Sequence, residues 1–217
     1  MNAIQSLSTL KKSLPPETKI VAVSKLQSVE KIRELYSQGQ RLFAENYVQE
    51  ALEKQAHLKD LAIQWHFIGR LQKNKAKSVV GNFSLIHSVD SLELAEVINR
   101  KAQEKSIVQK ILIQLNLADE ETKGGFSEEN FASLVQALKA FKSIQIQGFM
   151  TMPPLFENPE QTRIFFTKLN DLRKVYSSHF PFLSELSMGT SSDFRVAAEE
   201  GATLIRLGTI LFGERPV

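Results

Sequence analysis

Apolar residues recur along this chain in two rhythms that take turns. Short runs such as Ile20-Val21-Ala22-Val23 and Ile111-Leu112-Ile113 have the length and β-branched content of buried strands. Between them lie stretches with apolar residues three or four apart, such as Ile32 and Leu35, as on one face of a helix. The pattern predicts eight strands, at 19–25, 41–46, 64–69, 84–89, 110–117, 144–152, 183–189 and 203–208. Helices are predicted at 28–38, 47–58, near 74–80, from 90, at 127–141, from 158 and at 192–200. Ile4, Leu7, Leu10 and Leu14 add a short N-terminal helix, stopped by Pro15-Pro16.

The punctuation agrees with these limits. Gly39 suits the position after a helix, because glycine enters the left-handed region without a Cβ clash. Asp90 is the expected cap of the fourth inter-strand helix, with Glu93 in the reciprocal position. Ser127 is the expected cap of the next. Asn158-Pro159 reads as a cap followed by proline, whose missing N–H costs nothing there.

Strands separated by helices require a parallel sheet. Eight of them can close into a (β/α)8 TIM barrel, whereas an open doubly wound sheet would gather its chemistry at one switch point. Polar residues end nearly every strand here: Ser24-Lys25, Glu45-Asn46, Asn116, Thr151, Ser187 and Arg206. That favours a barrel mouth where all the strand ends converge. The expectation is an α/β fold, one barrel domain over 1–217 with an extra N-terminal helix.

Composition narrows the function classes. With 42% hydrophobic residues and a net charge of +3, the 217-residue chain is too apolar for disorder. The absence of cysteine excludes a disulfide framework, a thiolate metal site and a cysteine nucleophile. No run approaches the ~18 apolar residues of a membrane span, and the N-terminus has no continuous apolar stretch of a secretory signal. A cytoplasmic protein that binds no membrane is the expectation. The 27 basic residues are mostly interleaved with 24 acidic ones. The one dense stretch, Arg70, Lys73, Lys75 and Lys77, reads as a solvated helix start, so no nucleic-acid partner is expected. The four histidines lack metal spacing, and there is no G-x-G-x-x-G, Walker lysine or G-x-S-x-G.

Three features carry chemistry. Lys25 follows an apolar run and ends a strand at the predicted mouth. Partial burial there would favour a neutral amine, the form that condenses with an aldehyde, although an ordinary strand-exit lysine looks the same. The stretch Ser187–Asp193 (SMGTSSD) offers hydroxyls and backbone N–H groups after strand seven, and Gly208-Thr209 follows strand eight. Barrels often hold phosphate with those two loops, and plain helix capping is the competing account. Arg206 lies inside strand eight, where a permanent cation must face an acceptor, from a structural partner or a ligand. His66 is a further candidate lining residue; His57, His87 and His179 read as ordinary surface or core histidines. Gly124-Gly125 after Lys123 marks a flexible loop. An amine, a phosphate cup and a buried arginine together fit pyridoxal 5′-phosphate.

At these residues the sequence resembles the YggS/PROSC family of pyridoxal phosphate homeostasis proteins over essentially its whole length. The matching stretches are VAVSK (21–25), AENYVQE (44–50), WHFIGRLQKNK (65–75), IHSVDS (86–91), GFMTM (148–152), LSMGTSSDF (186–194) and IRLGTILFG (205–213). The resemblance implies a barrel similar to the N-terminal domain of alanine racemase, a fold-type III pyridoxal phosphate protein. It implies that Lys25 forms a Schiff base with the cofactor. Ser191, Gly208 and Thr209 would hold the phosphate, with Met188 and Gly189 in the same cofactor-binding stretch. Arg206 would face the pyridine nitrogen and Asn46 the ring's phenolic side, with His66 and Lys123 as lesser candidates at the mouth. Ala44 stands where the family commonly has glycine, Thr190 where it commonly has methionine, and Leu26-Gln27 replaces a more usual polar pair. These departures touch pocket detail and remove no cofactor ligand.

A cation against the ring nitrogen disfavours protonating it, which weakens the cofactor as an electron sink. A barrel without a further domain over its mouth also leaves the cofactor open to water. The expected function is therefore a non-enzymatic, monomeric binding protein for pyridoxal 5′-phosphate in intracellular homeostasis, with pyridoxal-phosphate-dependent apo-enzymes as candidate recipients. The alternative is a one-domain, racemase-like enzyme, with His66, Lys123 or Tyr47 as its second acid/base.

Overall fold

The computed structural model describes residues 7–118 and 124–213. Its centre is a closed barrel of eight parallel strands in sequential order. The strands are β1 (Lys19–Val23), β2 (Leu42–Glu45), β3 (Gln64–Phe67), β4 (Leu85–Val89), β5 (Gln109–Gln114), β6 (Ile144–Met150), β7 (Glu185–Ser187) and β8 (Leu204–Leu207). β1 pairs with β2 on one side and β8 on the other, which closes the ring. The helices are α1 (Leu7–Lys12), α2 (Val29–Ser37), α3 (Val48–His57), α4 (Ala76–Val79), α5 (Leu92–Glu104), α6 (Glu128–Ala140), α7 (Arg163–Tyr176), α8 (Phe194–Glu199) and α9 (Thr209–Phe212). Single 3₁₀ turns, Lys73–Lys75 and Pro159–Thr162, lead into α4 and α7. α1 buries Leu7 and Leu10, as the apolar spacing predicts.

Strand alternation divides the core in two. Val21, Ala44, Leu85, Leu112, Met150 and Leu204 fill the barrel interior. Their neighbours, such as Ile20, Ala22, Phe43, Phe67, Ile111, Ile205 and Leu207, pack outward against the helices. Parallel strands covered on both faces need this apolar content on both sides.

The helix starts at Ser127 and Asn158 match the predicted caps, Ser28 caps α2 at the predicted start of that helix, and one start corrects the reading. Ser28 and Ser127 accept from Lys31 N and Asn130 N at 3.4 and 3.2 Å, and Asn158 accepts from Glu160 N at 3.1 Å. The cap of α5 is Ser91 and not Asp90: extended backbone at Ser91 brings its hydroxyl to Leu94 N at 3.3 Å. Asp90 instead lies against Gly124, where a Cβ would come within 2.5 Å of its carboxylate. The stretch Arg70, Lys73, Lys75 and Lys77 is exposed, as a solvated helix start should be. Among the described residues no helix is long and apolar enough to cross a membrane, and no cluster of His, Asp and Glu has the form of a metal site.

Candidate functional site

The C-terminal ends of the strands form the mouth, the end where barrels of this architecture carry their chemistry. Lys25 lies two residues beyond β1 and is half-buried. Asn46 follows β2 directly. The register Val23↔Ala44 sets these two exits side by side. The Asn46 side-chain oxygen is buried and has no hydrogen-bond partner among the described residues. A buried, unbonded acceptor is costly unless a ligand completes it. Gly69 explains how Asn46 is held: a Cβ there would fall 2.0 Å from the Asn46 carbonyl oxygen. The Gly69 carbonyl is pinned in turn by the Ser88 hydroxyl at 2.5 Å. Since backbone stands on both sides, Gly69→Ala should cost about 1–3 kcal/mol by overpacking. A urea melt checks this, and an unchanged midpoint would contradict the close approach.

The residues flanking Lys25 are tied to β2 and α3. The Lys54 ammonium donates to Ser24 O at 2.6 Å, Glu45 Oε1 at 2.9 Å and Glu50 Oε1 at 2.6 Å, which uses all three of its hydrogens. Ser24 Oγ donates to the same Glu45 oxygen at 2.7 Å. On the other side, Leu26 N donates to Glu50 Oε1 at 2.6 Å. Leu26 has φ of 61°, left-handed backbone that costs a branched residue about 1–2 kcal/mol. The Glu50 contact offsets that strain and turns the chain immediately after Lys25. Burial raises the Glu45 carboxyl above its usual range, and Lys54 pulls it back only in part.

Arg206 is buried in β8 with its guanidinium turned into the barrel. Its NH1 donates to Ser187 Oγ at 2.6 Å and its NH2 to the Thr151 carbonyl at 3.0 Å. Both acceptors are neutral, and desolvation lowers its pKa to about 10, which leaves it a cation at neutral pH. Ser187 continues into a pair of buried rings: its Oγ lies 2.8 Å from His87 Nδ1, and His87 Nε2 lies 2.9 Å from His66 Nδ1. Desolvation lowers both histidines, His66 to about 4.

One placement departs from the sequence reading. His66 does not reach the mouth. Its strand position borders a cavity of about 430 Å³ at the other end of the barrel, shared with Lys19, Arg41, Lys110 and Glu185. His87, read as a surface or core histidine, is a core one, fully buried in the barrel beside Ser187. Its signal was present in the alternation of β4, where Leu85 faces inward and so does the residue two further on.

The loops after β7 and β8 carry the predicted hydroxyls. Gly189 has φ of +85°, and its carbonyl accepts from Arg206 N at 3.0 Å. Thr190 N and Thr190 Oγ1 donate to Asp193 Oδ1 at 2.6 and 3.0 Å, which folds the loop back on itself. Ser191 is half-buried on this loop, and Thr209 is exposed at the start of α9 beside half-buried Gly208. A Cβ on Gly208 would stand 3.6 Å from the Val23 carbonyl, so β1 and β8 leave the barrel in contact. The Met188 side chain is fully buried in the core between strands and helices, so only its backbone faces the loop. Tyr47 is 54% exposed at the rim. Lys123 lies outside the described residues.

Residues 3–216 match the family model described as alanine racemase, N-terminal domain. The pyridoxal phosphate homeostasis protein of Aquifex aeolicus is 48% identical over 198 residues, which span 91% of this chain and 87% of the relative. The chain belongs to the pyridoxal phosphate homeostasis protein family. The relative of that name from Synechocystis is 42% identical over 94% of each chain. Within the solved structures, PipY of Synechococcus elongatus with PLP bound superposes with a TM-score of 0.90 at 40% identity, covering 97% of this chain and 99% of that one. An alanine racemase of Clostridium difficile shares the fold, with a TM-score of 0.78 at 18% identity. This chain spans 61% of that racemase.

Proposed function

We propose that this protein binds pyridoxal 5′-phosphate at the barrel mouth and serves its homeostasis without turning over a substrate. The observation that carries the reading is the chemistry of one rim. A half-buried amine (Lys25), an amide with an unbonded buried oxygen (Asn46) and a buried cation with two neutral acceptors (Arg206) lie on adjoining strand exits. These groups fit the cofactor's aldehyde, polar ring edge and ring nitrogen. The names of the homeostasis-protein relatives and the PLP bound to PipY support the same ligand.

In this reading Lys25 supplies the nitrogen of a Schiff base, formed with loss of water, as the resting covalent link. Ser191, Gly208 and Thr209 take the phosphate, with Gly189 and the Met188 backbone shaping that loop. Asn46 holds the ring edge. Arg206 directs an N–H at the ring nitrogen and keeps it unprotonated, so the cofactor supplies little electron withdrawal while it is held. Ser24 and Leu26, fixed by Lys54 and Glu50, set the reach of Lys25. The racemase-like alternative draws no support from His66, which borders the opposite cavity.

The test is a titration of the cofactor-free protein with pyridoxal 5′-phosphate and, separately, with pyridoxal, followed by borohydride reduction and peptide mass mapping. A single adduct on Lys25, with much weaker uptake of pyridoxal, is the expected result. Absence of any adduct at saturating cofactor would overturn the reading. Exchange of the Cα proton of added amino acids faster than free cofactor produces would overturn its non-enzymatic part.

A further inference from the structure

The chain of hydrogen bonds from Arg206 through Ser187 and His87 to His66 has a forced direction. A guanidinium can only donate, so Ser187 Oγ accepts from Arg206 at 2.6 Å. Its one hydrogen then needs an acceptor, and the neighbour within reach among the described residues is His87 Nδ1 at 2.8 Å. That makes His87 Nε2 the protonated nitrogen, donating to His66 Nδ1 at 2.9 Å. His66 is left with its hydrogen on Nε2, on a ring that borders the cavity at the strands' N-terminal ends. Every donor and acceptor from Arg206 NH1 to His66 Nδ1 is then matched while both imidazoles stay neutral.

Neutrality is enforced from all sides. Arg206 on β8 faces the chain at one end, with the Asp193 carboxylate of the loop after β7 acting on it from beyond, and Lys19 on β1, Lys110 on β5 and Arg41 before β2 border the other, against the carboxylate of Glu185 on β7. Glu185 is itself engaged by Lys19 at 3.1 Å and by Thr203. The alternative way to hold a buried arginine is a carboxylate, which would neutralise it. Here four strands, β3, β4, β7 and β8, contribute one polar residue each and none is anionic.

We propose that Ser187, His87 and His66 are positioning residues for Arg206: a neutral, one-directional chain that aims the guanidinium at the cofactor's ring nitrogen while its hydrogen-bond acceptors stay neutral. The proposal rests on the cofactor reading given above. It explains why two histidines without metal spacing or surface exposure lie against each other, tilted by 51° with ring centroids 5.0 Å apart, inside a barrel otherwise filled mainly by apolar side chains.

The first arm of the test needs no cofactor. Long-range nitrogen–proton NMR of the cofactor-free protein should show both His66 and His87 neutral and protonated on Nε2 from pH 6 to 8. A hydrogen on Nδ1 of either ring, or protonation of either ring in that range, would overturn the direction of the chain. The second arm compares pyridoxal 5′-phosphate with its 1-deaza analogue, in which a C–H replaces the ring nitrogen. His87→Phe keeps the ring's bulk and removes both hydrogen bonds; Ser187→Ala, a smaller change, removes the acceptor of Arg206 should the phenylalanine disturb folding. Each should weaken binding of the natural cofactor by about tenfold or more, the scale of one hydrogen bond to a charged group. Neither should much change binding of the deaza analogue. His87→Gln can accept and donate in the same sense and should restore most of the loss. Equal losses for both ligands, or no loss in either variant, would reduce the chain to a structural element and overturn the proposal. If the unaltered protein takes up no pyridoxal 5′-phosphate, the cofactor reading and the positioning role fail together, and the tautomers still decide the direction of the chain.

Discussion

Lys25→Ala protein should carry no borohydride-stable adduct, while the unaltered protein saturates with one. The effect is all-or-none because the covalent link needs an amine at this site. Lys11, Lys12 and Lys31 lie on helices outside the mouth, and Lys54, though close, uses all three hydrogens on Ser24, Glu45 and Glu50. Non-covalent uptake should persist in weakened form through the loops after β7 and β8 and through Arg206. The substitution should leave stability within about 1 kcal/mol, since the residue is only half-buried and the turn is tied through Ser24 and Leu26 on either side of it. Mass spectrometry after reduction and a urea melt on the same sample separate the two outcomes. An adduct on any other lysine in the variant, at the yield of the unaltered protein, would remove Lys25 from its proposed role.

The second large effect is on stability. Lys54→Ala should cost about 3–5 kcal/mol, because it leaves the fully buried Glu45 carboxylate without its cation. The pH dependence gives the cause away. Burial already raises the folded-state pKa of Glu45, so folding takes up protons there, and that contribution is lost as pH rises through the raised value. Removing Lys54 deletes the opposing pull and strengthens the trend. The penalty should therefore be smaller near pH 5 than at pH 8. Urea melts at both values test this, and a pH-independent loss would point to packing in place of charge. Pairing Lys54→Met with Glu45→Leu should recover much of the stability, since apolar residues of similar volume often replace a buried ion pair without loss. The variant should also loosen the turn at Leu26, whose left-handed backbone depends on the same cluster.

The barrel was legible because its periodicities are local. Each βα unit announces itself within a few dozen residues through an apolar run, a turn and a helical stripe, and eight such units in a row leave few ways to close. Lys25, Asn46, Arg206 and the two loops were legible because polar residues at strand exits break the apolar pattern. What escaped depends on contacts between distant segments. His87 and Ser187 are 100 residues apart, and nothing near either one shows that the barrel brings them within 2.8 Å. His66 looked like a mouth residue from its place in β3, yet the register Ala44↔His66↔Leu85 puts it beside the first residue of β4. The Glu45–Lys54–Glu50 cluster resembles any charged helix face until Ser24 is seen to lie against it. The capping serine of α5 was missed by one residue, because Asp90 and Ser91 are both good caps and only backbone geometry chooses between them.

The pairing of β1 with β8 has a consequence for how the protein comes into being. The cluster that sets Lys25 lies entirely within residues 24–54, so it can form as soon as the first two strands and the helix between β2 and β3 have folded. Arg206 and the loop at Gly208 arrive only when the last strand docks against the first, at the partners Lys19↔Leu204 through Ala22↔Leu207. On the proposed reading, the covalent anchor would thus be a local product of the chain's beginning, and the cradle for ring and phosphate a product of its end. On that reading a growing chain would own the proposed anchor long before it could hold the aldehyde in place. Cofactor uptake therefore reports the completed ring, and occupancy by the cofactor would in turn favour the closed state over any in which the last strand has let go.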